Sequence, residues 1–262
     1  MIKHDRHIAA SLWIRHSTWF TTSLRLRPQM PFFTAVPAHR EQRDGGSWQP
    51  RHIHAGAYAA LVLSGGYEES GTWGRFRVRA GDVLLHDAFD AHLNRIELRG
   101  ATTLNLPLTG TRNLFRAGRV SDADAIARIA ERDPQAALDL LAAQLREISP
   151  VVEDWADLLA NEIVRDPSCR LDRWADAHGI VPETVSRGFA KVYGTTAASF
   201  RAEIRSRFAL RQIIRTGVSL VEIAAYVGFA DQAHMTRAVR ALTGATPTYW
   251  RSKSNSFKTA PA

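Results

Sequence analysis

The sequence predicts an α+β chain of two domains. An antiparallel β-barrel or sandwich comes first, followed by an all-α domain with two helix-turn-helix motifs joined by a linker helix. Three observations carry this expectation. Between residues 31 and 110, short runs rich in Val, Leu, Thr, Phe and Tyr alternate with Gly-bearing turns. From about residue 153 the apolar residues recur at helical spacing instead. In that helical region the same pattern occurs twice, about 50 residues apart, as two copies of a single supersecondary unit would.

In chain order, residues 1–30 read as an extension. Trp13, Ile14, Trp19 and Phe20 suggest burial, but His4, Arg6, His7, Arg15 and His16 interrupt any period. Residues 31–110 form the β domain, with strands expected at 58–63, 74–78, 82–86, 91–98 and 101–106. Gly65-Gly66, Gly71, 79–82 and Arg99-Gly100 are read as the turns. Residues 111–150 are a helical linker. A capping start at 121–124 opens one helix, and Asp133-Pro134 supplies the N-cap and first position of another. Leu138, Leu141, Leu145 and Ile148 make a narrow stripe that fits either packing on the β domain or a homodimer seam. Ser149-Pro150 closes the segment, and residues 151–262 form the second domain.

A helix at 153–165 leads into the first motif copy. Leu171, Trp174, Ala175, Gly179 and Ile180 stand 49 residues before Leu220, Ile223, Ala224, Gly228 and Phe229. Arg187, Phe189, Gly194 and Thr196 stand 50 before Arg237, Val239, Gly244 and Thr246. In the second copy Ser219 and Glu222 have capping-box spacing, and Gly228 ends the helix. The helix beginning near Asp231 buries Met235, Ala238, Val239 and Leu242. Its outer face carries Gln232, Ala233, Thr236, Arg237 and Arg240. In the first copy Pro182 opens the equivalent helix, with Glu183, Thr184, Ser186 and Arg187 outward. Gln, Thr and Arg read base edges or grip phosphates, and Glu accepts from cytosine. One helix over 196–216 joins the copies; at about 1.5 Å per residue it spans roughly 30 Å, close to the ~34 Å between successive major-groove faces.

The charge follows the same division. The chain carries 34 Lys/Arg against 26 Asp/Glu, a net +8. Residues 1–166 balance at 20 of each, and the surplus, 14 against 6, lies in 167–262. A basic excess confined to the doubled motif is the electrostatic footprint of nucleic-acid binding. At 45% hydrophobic and 23% charged the chain reads as globular. Its single cysteine, Cys169, excludes an internal disulfide framework and suits a reducing cytoplasm. No apolar run reaches the ~20 residues of a membrane span.

Two histidine stretches lie in the β domain. Gly46-x5-His52-x-His54-x3-Tyr58-x6-Gly65 has the spacing of the first cupin motif, with tyrosine in place of the usual glutamate. Gly81-x5-Asp87-x-Phe89-x2-His92 keeps the glycine and histidine of the second motif and loses its proline, second glycine and asparagine. This half therefore resembles a cupin barrel. His52, His54 and His92 would converge on a metal with Tyr58 or water as fourth ligand, or else line a metal-free pocket. His86 is assigned no role.

The phrases Ser219-x2-Glu222-Ile223-Ala224-x3-Gly228-Phe229, Gly244-x2-Pro247-x-Tyr249-x-Arg251 and Arg187-x-Phe189-x4-Gly194 resemble the DNA-binding domain of the AraC/XylS transcription regulators. The resemblance implies an N-terminal cupin-like barrel that binds a small-molecule effector and often mediates dimerisation. It implies DNA-facing roles for Glu183, Thr184, Ser186 and Arg187, and for Gln232, Ala233, His234, Thr236 and Arg237. Double-stranded DNA is the expected partner, with an unknown effector, a homodimer, and RNA polymerase if the protein activates. No cofactor is required, and no enzymatic role is expected. The rivals are a metal-dependent cupin enzyme with an appended DNA-binding domain, and a nonspecific nucleoid-binding protein.

Overall fold

The structure, a computed structural model, describes residues 38–108 and 116–258. The predicted extension at 1–30 lies outside the described residues. The β domain contains β1 (His39–Arg43), β2 (Trp48–Ile53), β3 (Tyr58–Gly71), β4 (Gly74–Arg79), β5 (Asp82–His86), β6 (Ala91–Pro107), β7 (Ala117–Arg119) and β8 (Arg146–Glu147). Its spine is the antiparallel pair β3–β6. The expected strands 91–98 and 101–106 are one strand, and Gly65-Gly66 and Arg99-Gly100 are bends within strands, not turns. The reason is steric. Gly65 pairs with Ala101 across the ladder, beside Gly100; the two glycines have φ of +67° and +77°, and a Cβ on Gly65 would sit 1.8 Å from the Gly100 carbonyl oxygen. Glycine at both positions lets two long strands bend together without breaking their pairing.

The bend gives each long strand two sets of partners. The first half of β3 pairs with β5 and its second half with β4; β6 pairs with β2 near its start and β1 near its end. The sheet runs β1-β6-β3-β5-β7-β8, and among the described residues its end strands do not meet. The predicted barrel is therefore replaced by an open sheet: five residues of β1 and two of β8 supply no ladder to join its ends.

Helices α1 (Ala123–Ala130) and α2 (Pro134–Gln144) cover one face. Asp122 and Asp133 cap them, each carboxylate accepting backbone N–H groups of its first turn. Leu138, Leu141 and Leu145 pack with Leu61, Leu104 and Leu106 of the sheet. Ile148 packs on the neighbouring cluster around Tyr67 and Phe76. The leucine stripe is spent on this core, so it is not available as a dimer seam.

The helical domain comprises α3 (Trp155–Arg165), α4 (Leu171–Ala177), α5 (Pro182–Tyr193), α6 (Ala197–Arg215), α7 (Leu220–Val227), α8 (Gln232–Thr243) and α9 (Pro247–Lys258). It has two cores. Phe189, Tyr193 and Trp174 pack with Phe200 and Ile204 from the start of α6. Met235, Val239 and Ile223 pack with Leu210, Ile213 and Ile214 from its end. One 19-residue helix thus contributes a face to each unit. No helix among the described residues is long and apolar enough to cross a membrane.

Candidate nucleic-acid interface and histidine cluster

The sequence repeat is also a hydrogen-bond repeat. In the first unit the Ile180 N–H donates to the Ala175 carbonyl at 3.0 Å; in the second, Phe229 donates to Ala224 at 2.9 Å. Gly194 and Gly244 end α5 and α8 in the left-handed region, at φ of +67° and +77°. Thr196 and Thr246 each accept the backbone N–H three residues on, at 3.1 and 3.3 Å. Phe189 and Val239, equivalent in the repeat, are both fully buried. Valine fills the second core at the position where phenylalanine fills the first.

Both outward faces are open. Glu183, Thr184, Ser186 and Arg187 on α5 are exposed, as are Gln232, Ala233, His234 and Arg237 on α8; Thr236 is half-buried. The His234 ring leans edge-on against Phe229, with centroids 5.2 Å apart. Val181, immediately before α5, is 59% exposed. Neither helix has its predicted polar face buried against the sheet.

A model of the helix-turn-helix domain family matches residues 174–253, a span that takes in the first unit from Trp174 on, all of the second, and all three sequence phrases. Residues 174–253 therefore form a helix-turn-helix domain. A search of curated proteins gives no match. Among solved structures, the chain is similar to fatty acid-bound ToxT from Vibrio cholerae, with 12% identity over 86% of this chain and 97% of that one, at a TM-score of 0.38. It is also similar to the C-terminal domain of the response regulator AraT from Geobacillus stearothermophilus, with 21% identity over 37% and 84%, at 0.35. A probable AraC family regulator from Rhodopseudomonas palustris shows 17% identity over 37% and 93%, at 0.34. Likeness at that level fixes neither ligand nor operator.

In the sheet, β2, β3 and β6 do bring His52, His54, Tyr58 and His92 together. The His52 ring lies 4.9 Å from His54 and 4.4 Å from His92, centroid to centroid, and His54 lies 5.0 Å from Tyr58. His52 Nδ1 is 2.8 Å from the Pro50 carbonyl, to which it donates. Two further members were missed. His86 stacks on Tyr58 at 4.5 Å and lies 4.5 Å from His92. Glu69 places its carboxylate 3.7 Å from His86 Nε2 and 4.0 Å from His92 Nε2. Alternation argued against Glu69: it is eleven residues beyond Tyr58 on the same strand, an odd number that places it on the other face, and only the bend and register shift at 62–67 bring it round.

Burial sets the electrostatics. It pushes His86 down to about 3, helped by His54 and His52, and drives His92 down for the same reasons. It raises the Glu69 carboxyl and the Tyr58 hydroxyl well above their ordinary ranges. Without a cation nearby, the cluster therefore favours neutral imidazoles. A small cavity of about 20 Å³, bordered by Glu69, His86, His92, Asp90, Trp73 and Arg116, opens beside it.

Proposed function

We propose that the protein binds a specific operator by placing α5 and α8 in successive major-groove segments of one duplex, and that the sheet domain biases this binding in response to a small molecule. The observation that carries the reading is the repeat itself. Two units share the turn hydrogen bond, the glycine helix stop and the threonine that caps the following helix, yet differ along their exposed faces, where base identity would be read. In this arrangement Arg187 and Arg237 fork onto bases, Gln232, Thr184, Ser186 and Thr236 supply neutral donors and acceptors, and Glu183 accepts from cytosine. Ala233 provides apolar contact, and His234 serves as a polar contact beside it.

Support for control by the sheet comes from the loop between β5 and β6. Asp90, which borders the cavity, pairs with Arg207 of α6 at 3.0 Å. Thr72 also accepts from Arg207. Asp87 pairs with Arg116 at 2.6 Å and lies 3.7 Å from Arg211 of α6. Between them Phe89, at φ of +63°, inserts its ring into the core of the second unit, 6.1 Å from Trp250. A bulky residue in the left-handed region is costly and is held only where packing demands it. One four-residue loop therefore touches the spacer helix, the second unit and a cavity with room for about one water, so a small molecule entering there would have to shift this loop and with it the contacts to both. A homodimer would need a surface other than the leucine stripe, and RNA polymerase would be the further partner of an activator.

The test is binding to a selected operator and to random duplex. Arg187→Ala and Arg237→Ala should each weaken the operator by about 1–3 kcal/mol while sparing random DNA. Equal loss on both would make these arginines phosphate contacts.

A further inference from the structure

We infer that Glu69, His86 and His92 form a binding site for one divalent transition-metal ion, in which Glu69 supplies the carboxylate that the histidine motif lacks at Tyr58. Three strands deliver the ligands: Glu69 from β3, His86 from β5 and His92 from β6. The three are almost wholly buried, at 5%, 5% and 2% exposure. Together with His52 and His54 they form two overlapping triads that share His92, each with its ligand atoms mutually within 4.8 Å.

Geometry and charge favour the inner triad. With metal–ligand bonds of about 2.0–2.1 Å, tetrahedral ligand atoms stand about 3.4 Å apart. The Glu69–His86 and Glu69–His92 separations of 3.7 and 4.0 Å exceed this by a few tenths of an ångström, within reach of small side-chain rotations. His92 Nδ1 is buried without a hydrogen-bond partner, and so is the neighbouring Ser70 hydroxyl. Nδ1 is the far nitrogen of that ring; the ion would sit on Nε2, the atom that faces Glu69. Two imidazoles and one carboxylate are a donor set that suits Zn(II) and Fe(II), and the single carboxylate offsets half of the ion's charge in a buried setting. The outer triad, by contrast, is all imidazole, and its His52 and His54 are only half-buried.

The experiment uses the full chain without a histidine tag, stripped with EDTA and titrated with Zn(II) in the absence of DNA. Wild-type protein should bind about one equivalent. Glu69→Gln and His86→Gln should each weaken binding at least tenfold, and His52→Gln less than threefold. Each metal-free variant is compared with metal-free wild type by thermal melting. X-ray absorption of Zn-loaded wild type gives a reading independent of variant folding: two imidazoles with carboxylate oxygen in the coordination shell. Less than about a tenth of an equivalent bound, unchanged affinity in Glu69→Gln, or a three-imidazole shell would overturn the site. Operator binding, measured separately, stands or falls on its own.

Discussion

The two helix-turn-helix units share one design and differ in how they are held. The second unit is self-capped. Ser219 and Glu222 form a complete capping box on α7, and the Asp231 carboxylate accepts the His234 N–H at 2.6 Å at the start of α8. The first has no such device: Arg170 and Val181 occupy the N-cap positions of α4 and α5 without a side-chain bond. Its support comes from the sheet. Arg51 donates to the Tyr193 carbonyl at 3.1 Å and pairs with Glu203 at 2.6 Å; Arg95 donates to the Val192 carbonyl at 3.4 Å. These guanidinium groups satisfy carbonyls at the end of α5 and complement its dipole. Arg75, buried, joins Asp157 and Asp154 of the α3 start, while the Tyr193 hydroxyl donates to Asp157. The sheet reaches the second unit differently, through the Phe89 ring in its core, so the first unit is held by the sheet at its helix ends and the second at its core.

The largest expected effect separates the two cores. Phe189→Ala should cost about 3–5 kcal/mol and Met235→Ala about 2–5 kcal/mol. In hydrogen exchange, Phe189→Ala should expose α4 and α5 first, and Met235→Ala should expose α7 and α8. Identical exchange patterns from both variants would mean that the units form one cooperative block. Next in size, the paired arginine variants should each lose about 1–3 kcal/mol on the operator but erase preference at different half-sites.

Capping comes third. Asp231→Ala should lower stability by about 1 kcal/mol, whereas Val181→Ser, which supplies the missing cap at an exposed position, should raise it by a similar or smaller amount in urea unfolding. No gain from Val181→Ser would show that the sheet contacts already satisfy the first unit. The smallest effect belongs to Glu183 in the first turn of α5. Glu183→Gln should cost about 0.3–1 kcal/mol of stability through the lost helix-dipole interaction. The same change should tighten random-DNA binding slightly, because a negative charge leaves the phosphate-facing surface.

The helical domain was legible because its signals are local. Gly228, Gly194 and Gly244 stop helices by their own backbone freedom, Pro182 and Pro247 start them, and a repeat doubles every such signal. The sheet was less so. Strand existence followed from alternation, but Gly100 reads the same whether it turns the chain or bends one strand against Gly65, and only the partner strand decides. The open ends of the sheet depend on pairing between residues far apart, which no window of sequence reports. The histidine motif located four members of the buried cluster. Glu69 and His86 escaped because the register of β3, β5 and β6 brings them in, and the motif spacing does not. The clasp of Asp87, Phe89 and Asp90 on α6 is likewise tertiary, between residues more than a hundred positions apart.

Selection of binding sites from a pool of random duplexes, with the full-length chain, is the most direct measurement. Two short motifs should be enriched, held about 10–10.5 base pairs apart from centre to centre, one altered by Arg187→Ala and the other by Arg237→Ala. A pool with no enriched sequence, or with a single motif indifferent to one of the two substitutions, would contradict the account.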